Sequence, residues 1–147
     1  MRASNTKSTP ILLIEDNPAD YETTVRAFRG ANMANPIFHC EDGDEALDFL
    51  NATQTLPGLI LLDLNLPGTD GREVLTEIKQ CPRLKRIPVI ALTTSCSERD
   101  VRFCYENGVS SYIQKPVNLN EFRRAIQRLG DFWFEVVILP TAPRGER

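Results

Sequence analysis

Several ingredients are scarce in this chain of 147 residues, and each scarcity removes a class of function. There is one histidine, His39, and none of the four cysteines, Cys40, Cys81, Cys96 and Cys104, forms a C-x-x-C pair. A Cys/His zinc site needs more ligands than that. Reduced thiols in a cytoplasmic protein are the plainer expectation. No apolar run approaches the length of a membrane span. Met1-Arg2 leads into the polar stretch Ala3 to Thr9 and not into a signal-peptide core. There is no excess of positive charge; the net charge of −3 gives no electrostatic case for nucleic acid. What remains is ordinary for a globular domain, with 41% hydrophobic and 25% charged residues and enough length for one sizeable core.

Against that background one stretch stands out. Leu59-Ile60-Leu61-Leu62 is a short apolar run bounded by Pro57-Gly58 and Pro67-Gly68, and it reads as a strand buried on both faces. It ends in Asp63, a charge that is costly there unless something pairs with it. Three other apolar runs end in polar groups: Ile11 to Ile14 in Glu15-Asp16, Pro88 to Leu92 in Thr93, and Ser111 to Gln114 in Lys115-Pro116. Helical patterns separate these runs, so the strands should be parallel. Their C-terminal ends then share one edge, where open α/β sheets bind ligands. Three carboxylates, a hydroxyl and an ammonium in one crevice make a site for a hard cation and a phosphoryl group.

The set Glu15-Asp16, Asp63, Thr93 and Lys115-Pro116, in that order over residues 8 to 130, resembles the receiver domain of two-component response regulators. The fold expected is a flavodoxin-like, doubly wound parallel sheet of five strands in the order 2-1-3-4-5, with five helices. Asn17-Pro18 should open the first helix, with Tyr21, Val25 and Phe28 inward. Asp42-Gly43 leads into the second, and Val74, Leu75 and Ile78 line the third. Ser97 and Asp100 mark a capping pair for the fourth, which stops at Asn107-Gly108. Asn118 or Asn120 caps the fifth. The organisation expected is a disordered lead over 1–9, a receiver over 10–130 and a tail over 131–147, with no output domain.

The resemblance assigns roles residue by residue. Asp63 is the phosphoacceptor, accepting the group as an acyl phosphate. It and Asp16 ligate Mg2+ directly, the main-chain carbonyl of Asn65 is a third ligand, and Glu15 acts through bound water. Lys115 pairs with Asp63 at rest and with the phosphoryl oxygen afterwards, and the peptide before Pro116 is cis. Thr93 and Tyr112 form the switch, signalling by a population shift near the fifth strand. His39 lies off the crevice and is not expected to carry phosphate. The expected partner is a sensor histidine kinase, with no nucleic acid and no membrane.

Two rivals fit less well. A haloacid-dehalogenase-type magnesium phosphatase also uses a strand-end Asp, but normally carries a second Asp two residues on, where this chain has Asn65. A flavodoxin-like FMN binder needs a Ser/Thr/Gly phosphate loop after the first strand, where this chain has Glu15-Asp16-Asn17-Pro18.

The tail points further. Phe132-Trp133-Phe134 and Val136 to Pro140 resemble the end of small stand-alone regulators that partner phytochrome-type histidine kinases, and Glu15 to Asp20 agrees with that group. So many apolar side chains suit an interaction site. A symmetric homodimer through Phe132, Trp133, Phe134 and Val136 is expected, in preference to a tail folded back on its own core.

Overall fold

The structure, a computed structural model, describes residues 9–31 and 33–133. The lead before residue 9 and the tail after Trp133, with Phe134, Val136 and the residues to Pro140, lie outside them.

Five strands alternate with five helices. They are β1 Ile11–Ile14, α1 Pro18–Gly30, β2 Ile37–Cys40, α2 Gly43–Ala52, β3 Leu59–Leu62, α3 Gly71–Gln80, β4 Val89–Thr93, α4 Glu98–Glu106, β5 Ser111–Gln114 and α5 Leu119–Asp131. The strands form one sheet in the order β2-β1-β3-β4-β5, and every pairing is parallel.

Alternation along the strands divides the core into two layers, as the two-residue period of a strand requires. Leu12, Ile14, Ile60, Leu62, Val89 and Ala91 point to the side covered by α2, α3 and α4, where they meet Ala46, Leu50, Val74, Leu75, Ile78 and Cys104. Ile11, Leu13, Leu59, Leu61, Ile90 and Leu92 point to the side of α1 and α5, against Phe28, Phe122, Ile126 and Leu129. With both faces covered, β1, β3 and β4 as far as Leu92 need no polar residue, which is why they are continuous apolar runs.

Local signals set the helix boundaries. The side chains of Asn17, Asp42, Ser97 and Asn118 each accept a hydrogen bond from a first-turn amide, so Asn118 and not Asn120 is the cap of α5. Asp70 does the same for α3. Helix α4 ends in a paired bond, Val109 N to Cys104 O at 3.0 Å and Gly108 N to Tyr105 O at 3.2 Å. That ending needs the left-handed conformation Gly108 adopts, at φ 91°. The inner face of α1 follows the expectation at Phe28, in part at Tyr21 and not at Val25. Thr24, Ala27 and Phe28 are its buried residues, while Tyr21 and Val25 are half-buried on its flank. Tyr21 packs on the margin of the α1–α5 layer, and the smaller Ala27 is the residue fully buried beside Phe28.

Four details place the site. The β1–β3 register sets Ile14 beside Leu62, so Glu15 and Asp63 leave the sheet at the same level. Asp63 N donates to Ile14 O at 3.1 Å. Lys115 N donates to Thr93 O at 2.7 Å, which fixes the β5 end against the β4 end. Gly71, opening α3, packs so closely on the β3 end that a Cβ there would lie 2.4 Å from Asp63 O. Any larger residue would push that strand end out of line.

No described peptide bond is cis, so the Lys115–Pro116 bond is trans, contrary to the expectation. With the trans bond, Lys115 still reaches its carboxylate partners.

Candidate functional site

At the C-terminal edge of the sheet, Lys115 is the centre of the polar cluster. Its Nζ lies 2.6 Å from Glu15 Oε1, 2.9 Å from Asp20 Oδ2 and 3.0 Å from Asp63 Oδ2. The lysine is buried, as are Glu15 and Asp63. An ammonium has three donors, and all three are used here. Burial works against the charge of Lys115, but the hydrogen bonds to Asp20 and Glu15 outweigh it and hold its pKa above the usual lysine value. Burial acts first on Glu15 as well and pushes its carboxyl up to about 7, even though Lys115 pulls the other way.

The remaining groups complete the crevice. Glu15 Oε2 accepts from Asn17 N at 3.1 Å, so the loop into α1 is folded over this carboxylate. Asp63 Oδ1 accepts from Asn65 N at 3.0 Å. Asp16 is exposed. Its carboxylate oxygen and those of Glu15 and Asp63 lie within 4.8 Å of one another. All three donors are hard oxygens, which fit Mg2+ or a similar divalent cation and not a soft metal. Thr93 is buried, and its hydroxyl oxygen accepts from Asn65 Nδ2 and from Ser95 N, each at 3.3 Å.

Tyr112 is half-buried beside β4, and its hydroxyl donates to Ser95 O at 2.8 Å. It is therefore anchored to the loop that follows Thr93. That loop is held from behind as well. Ser95 Oγ donates to Asp100 Oδ2 at 2.5 Å, and Arg72 makes a two-pronged contact with the same carboxylate, Nε to Oδ1 at 2.8 Å and Nη2 to Oδ2 at 2.6 Å. Arg72 Nη1 also reaches Asp70 Oδ1 at 3.0 Å. The Arg72 hydrogen bonds, with that from Ser95, hold the Asp100 carboxyl well below the usual range.

Glu15, Asp16, Asp63, Thr93 and Lys115 are thus brought together as the sequence implies, with Asn65 alongside and Tyr112 one loop away. His39 lies off the crevice. Its ring stacks on Tyr21, with centroids 3.8 Å apart, and Nε2 lies 2.8 Å from Glu15 O. Of the tail, Phe132 and Trp133 are described, and neither joins the site. Phe132 is exposed, while Trp133 packs on the α1–α5 side of the core and meets Phe132 edge-on at 5.8 Å. The residues that sequence reasoning passed over are Asp20, Arg72, Ser95 and Asp100. Asp20 and Asp100 read as ordinary first-turn acids of helices, and nothing in the sequence marked Arg72 or Ser95.

A five-stranded parallel sheet with a lysine clamped among carboxylates at its C-terminal edge defines a receiver. Residues 11–127 match the response regulator receiver domain, and the chain belongs to that family. Response regulator Rcp1 of Synechocystis sp. is 44% identical over 137 residues, covering 90% of this chain and 93% of that protein. The Mn2+-bound form of Rcp1 superposes with a TM-score of 0.86 at 43% identity, over 90% of this chain and 99% of that one. The phosphorylated cyanobacterial phytochrome response regulator RcpA gives 0.88 at 40% identity, over 91% and 99%. The receiver domain of sensor histidine kinase PA1611 from Pseudomonas aeruginosa, with magnesium coordinated in its active-site cleft, gives 0.66 at 29%, over 84% and 98%. The phosphatase reading has no support: Asn65 stands where an acid/base Asp would be, and its amide is turned to Thr93.

Proposed function

We propose that this chain accepts a phosphoryl group on Asp63 from a sensor histidine kinase, of the phytochrome type, and signals by a conformational shift at Thr93 and Tyr112. The observation that carries this reading is the buried Lys115 ammonium, 3.0 Å from Asp63 Oδ2, at an edge that also carries Glu15 and Asp16. Asp63 Oδ attacks phosphorus, a new O–P bond forms, and the bond from phosphorus to the donor nitrogen breaks. Bound Mg2+ supplies charge neutralisation for the phosphoryl oxygens. Glu15, Asp16 and Asp63, with the Asn65 carbonyl, are the residues that would hold it. Lys115 keeps its proton and offers an N–H to a phosphoryl oxygen.

Thr93 supplies the next step. Its hydroxyl, buried and close to Asn65, turns to a phosphoryl oxygen, which disturbs the amide of Ser95 that it now accepts from. Ser95 O holds Tyr112, so the change passes to β5. The product is a shifted population and not a released chemical. The phytochrome-type partner is supported by the likeness to RcpA and by the tail sequence after Gly130. A homodimer through that tail and a cytoplasmic setting belong to the same reading. On this reading the chain is a phosphoacceptor signalling protein and not an enzyme, with limited self-phosphorylation and self-dephosphorylation only.

Phosphotransfer from a phytochrome-type kinase, followed by radiolabel, tests the reading directly. Label should appear on the wild type and be missing from Asp63→Asn. Labelling of that variant at the normal rate would overturn the assignment.

A further inference from the structure

Asp20 sits in the first turn of α1 and is fixed at both backbone ends. Its N–H donates to the Asn17 cap at 3.0 Å, and its carbonyl accepts from the buried Thr24 hydroxyl at 2.7 Å. Its side chain, 29% exposed, is thereby aimed at Lys115, 95 residues further along the chain. The lysine has three carboxylate partners, but they are not equivalent. Glu15 and Asp63 belong to the trio that fits a hard cation, together with Asp16. Asp20 does not. A divalent cation in the cluster competes with Lys115 for the oxygens of Glu15 and Asp63, and Asp20 is the one partner left uncontested.

We infer that Asp20 is a positioning residue for phosphoryl transfer: it anchors the Lys115 ammonium to α1 when a divalent cation draws on Glu15 and Asp63. This rests on Asp63 being the phosphoacceptor. The anchor has two effects. It keeps a long, flexible side chain from losing its place beside the acceptor oxygen, which preserves the entropic advantage of a preset geometry. It also keeps the ammonium from pressing back onto the carboxylates that the cation needs. The anchor takes no part in bond making: the O–P bond forms at Asp63 and the bond from phosphorus to the donor breaks.

The experiment is a double-mutant cycle read with Mg2+ alone and with phosphoramidate as donor. By calorimetry, Asp20→Ala should weaken Mg2+ about fivefold in the wild-type background, and within about twofold in the Lys115→Met background, where there is no ammonium to hold back. With phosphoramidate, Asp20→Ala should lower the maximal labelling rate about tenfold with little change in half-saturating donor, and Asp20→Glu should recover part of it. Equal weakening of Mg2+ in both backgrounds would mean a diffuse charge effect and would overturn the inference. Should Lys115→Met fail to fold, the side-chain ammonium resonance of Lys115 in Mg2+-loaded protein decides. It should be sharp in the wild type and lost to exchange in Asp20→Ala, and an unchanged signal overturns the anchor. A wild type that takes no label on Asp63 would defeat the acceptor reading. A normal wild type matched in rate by Asp20→Ala would defeat the anchor alone.

Discussion

Asp63 stands among carboxylates that, among the described residues, pair with the single ammonium of Lys115. Replacing it by asparagine keeps the shape and removes one negative charge from the crowd. The expected outcome is complete loss of phosphoryl acceptance with an unfolding midpoint equal to or above that of the wild type, measured in metal-free buffer. Glu15 and Asp16 differ in setting, since Glu15 is buried against Lys115 while Asp16 is exposed. On the proposed reading Asp16 ligates the cation directly and Glu15 acts through water, and a Mg2+ titration should then show Asp16→Ala weakening the site more than Glu15→Ala. Equal or reversed effects would refute that division. Glu15 also gives a pH signature. Its folded pKa of about 7 lies above the usual 4.5, so the folded state binds more protons between those values. Stability should fall as pH rises through that window, and Glu15→Gln should flatten the slope. Denaturant midpoints between pH 4 and pH 8 would check it.

At the scale of elements, the link between α3 and α4 is a prediction of its own. Arg72 joins Asp70 at the head of α3 to Asp100 in the first turn of α4, and Asp100 holds Ser95 in the loop after β4. Arg72→Ala should cost about 1 kcal/mol, since the pair is only partly screened from water. The Asp100 carboxyl is held below its usual 3.8, so this contribution is present above that value and disappears as pH falls below it. The gap between wild type and Arg72→Ala should be constant from neutral pH to about pH 4 and close under more acid conditions. A gap that persists in acid would mean that the arginine acts through packing and not through the ion pair.

For the whole molecule, the prediction concerns the tail. Phe132 is exposed at 52%, while Trp133 already leans on the α1–α5 layer. One aromatic is thus directed outward and the other inward, a division the expectation of a shared interface did not contain. Truncation after Gly130 should convert a dimer into a folded monomer, with a small loss of thermal stability from the missing Trp133 contact. In the full chain, Phe132→Ala should weaken association by about 2 kcal/mol, as truncation of an aromatic anchor does. Sedimentation of the full-length protein as a monomer at high concentration, with and without beryllofluoride, would rule out the dimer.

The sheet, the order of its elements and most of the crevice were legible in the amino-acid order. A strand covered on both faces must be apolar throughout, so β1, β3 and β4 declare themselves, and Glu15, Asp16, Asp63 and Thr93 are marked by standing where those runs end. The helix caps were legible for the same local reason: Asn17, Asp42 and Ser97 bond to amides three residues away. The contacts between elements came from the assembled fold. Arg72 finds Asp100 across 28 residues and Lys115 finds Asp20 across 95, and no local pattern encodes either pairing. It also decided that Tyr112 is tied to Ser95 O and that Glu15, not Asp63, is the shortest partner of Lys115. Periodicity reports which face of a segment is buried, because burial acts on each residue in turn. The direction of a long charged side chain depends on which neighbours the fold brings within 3 Å or so, a distance only the assembled sheet and helices set.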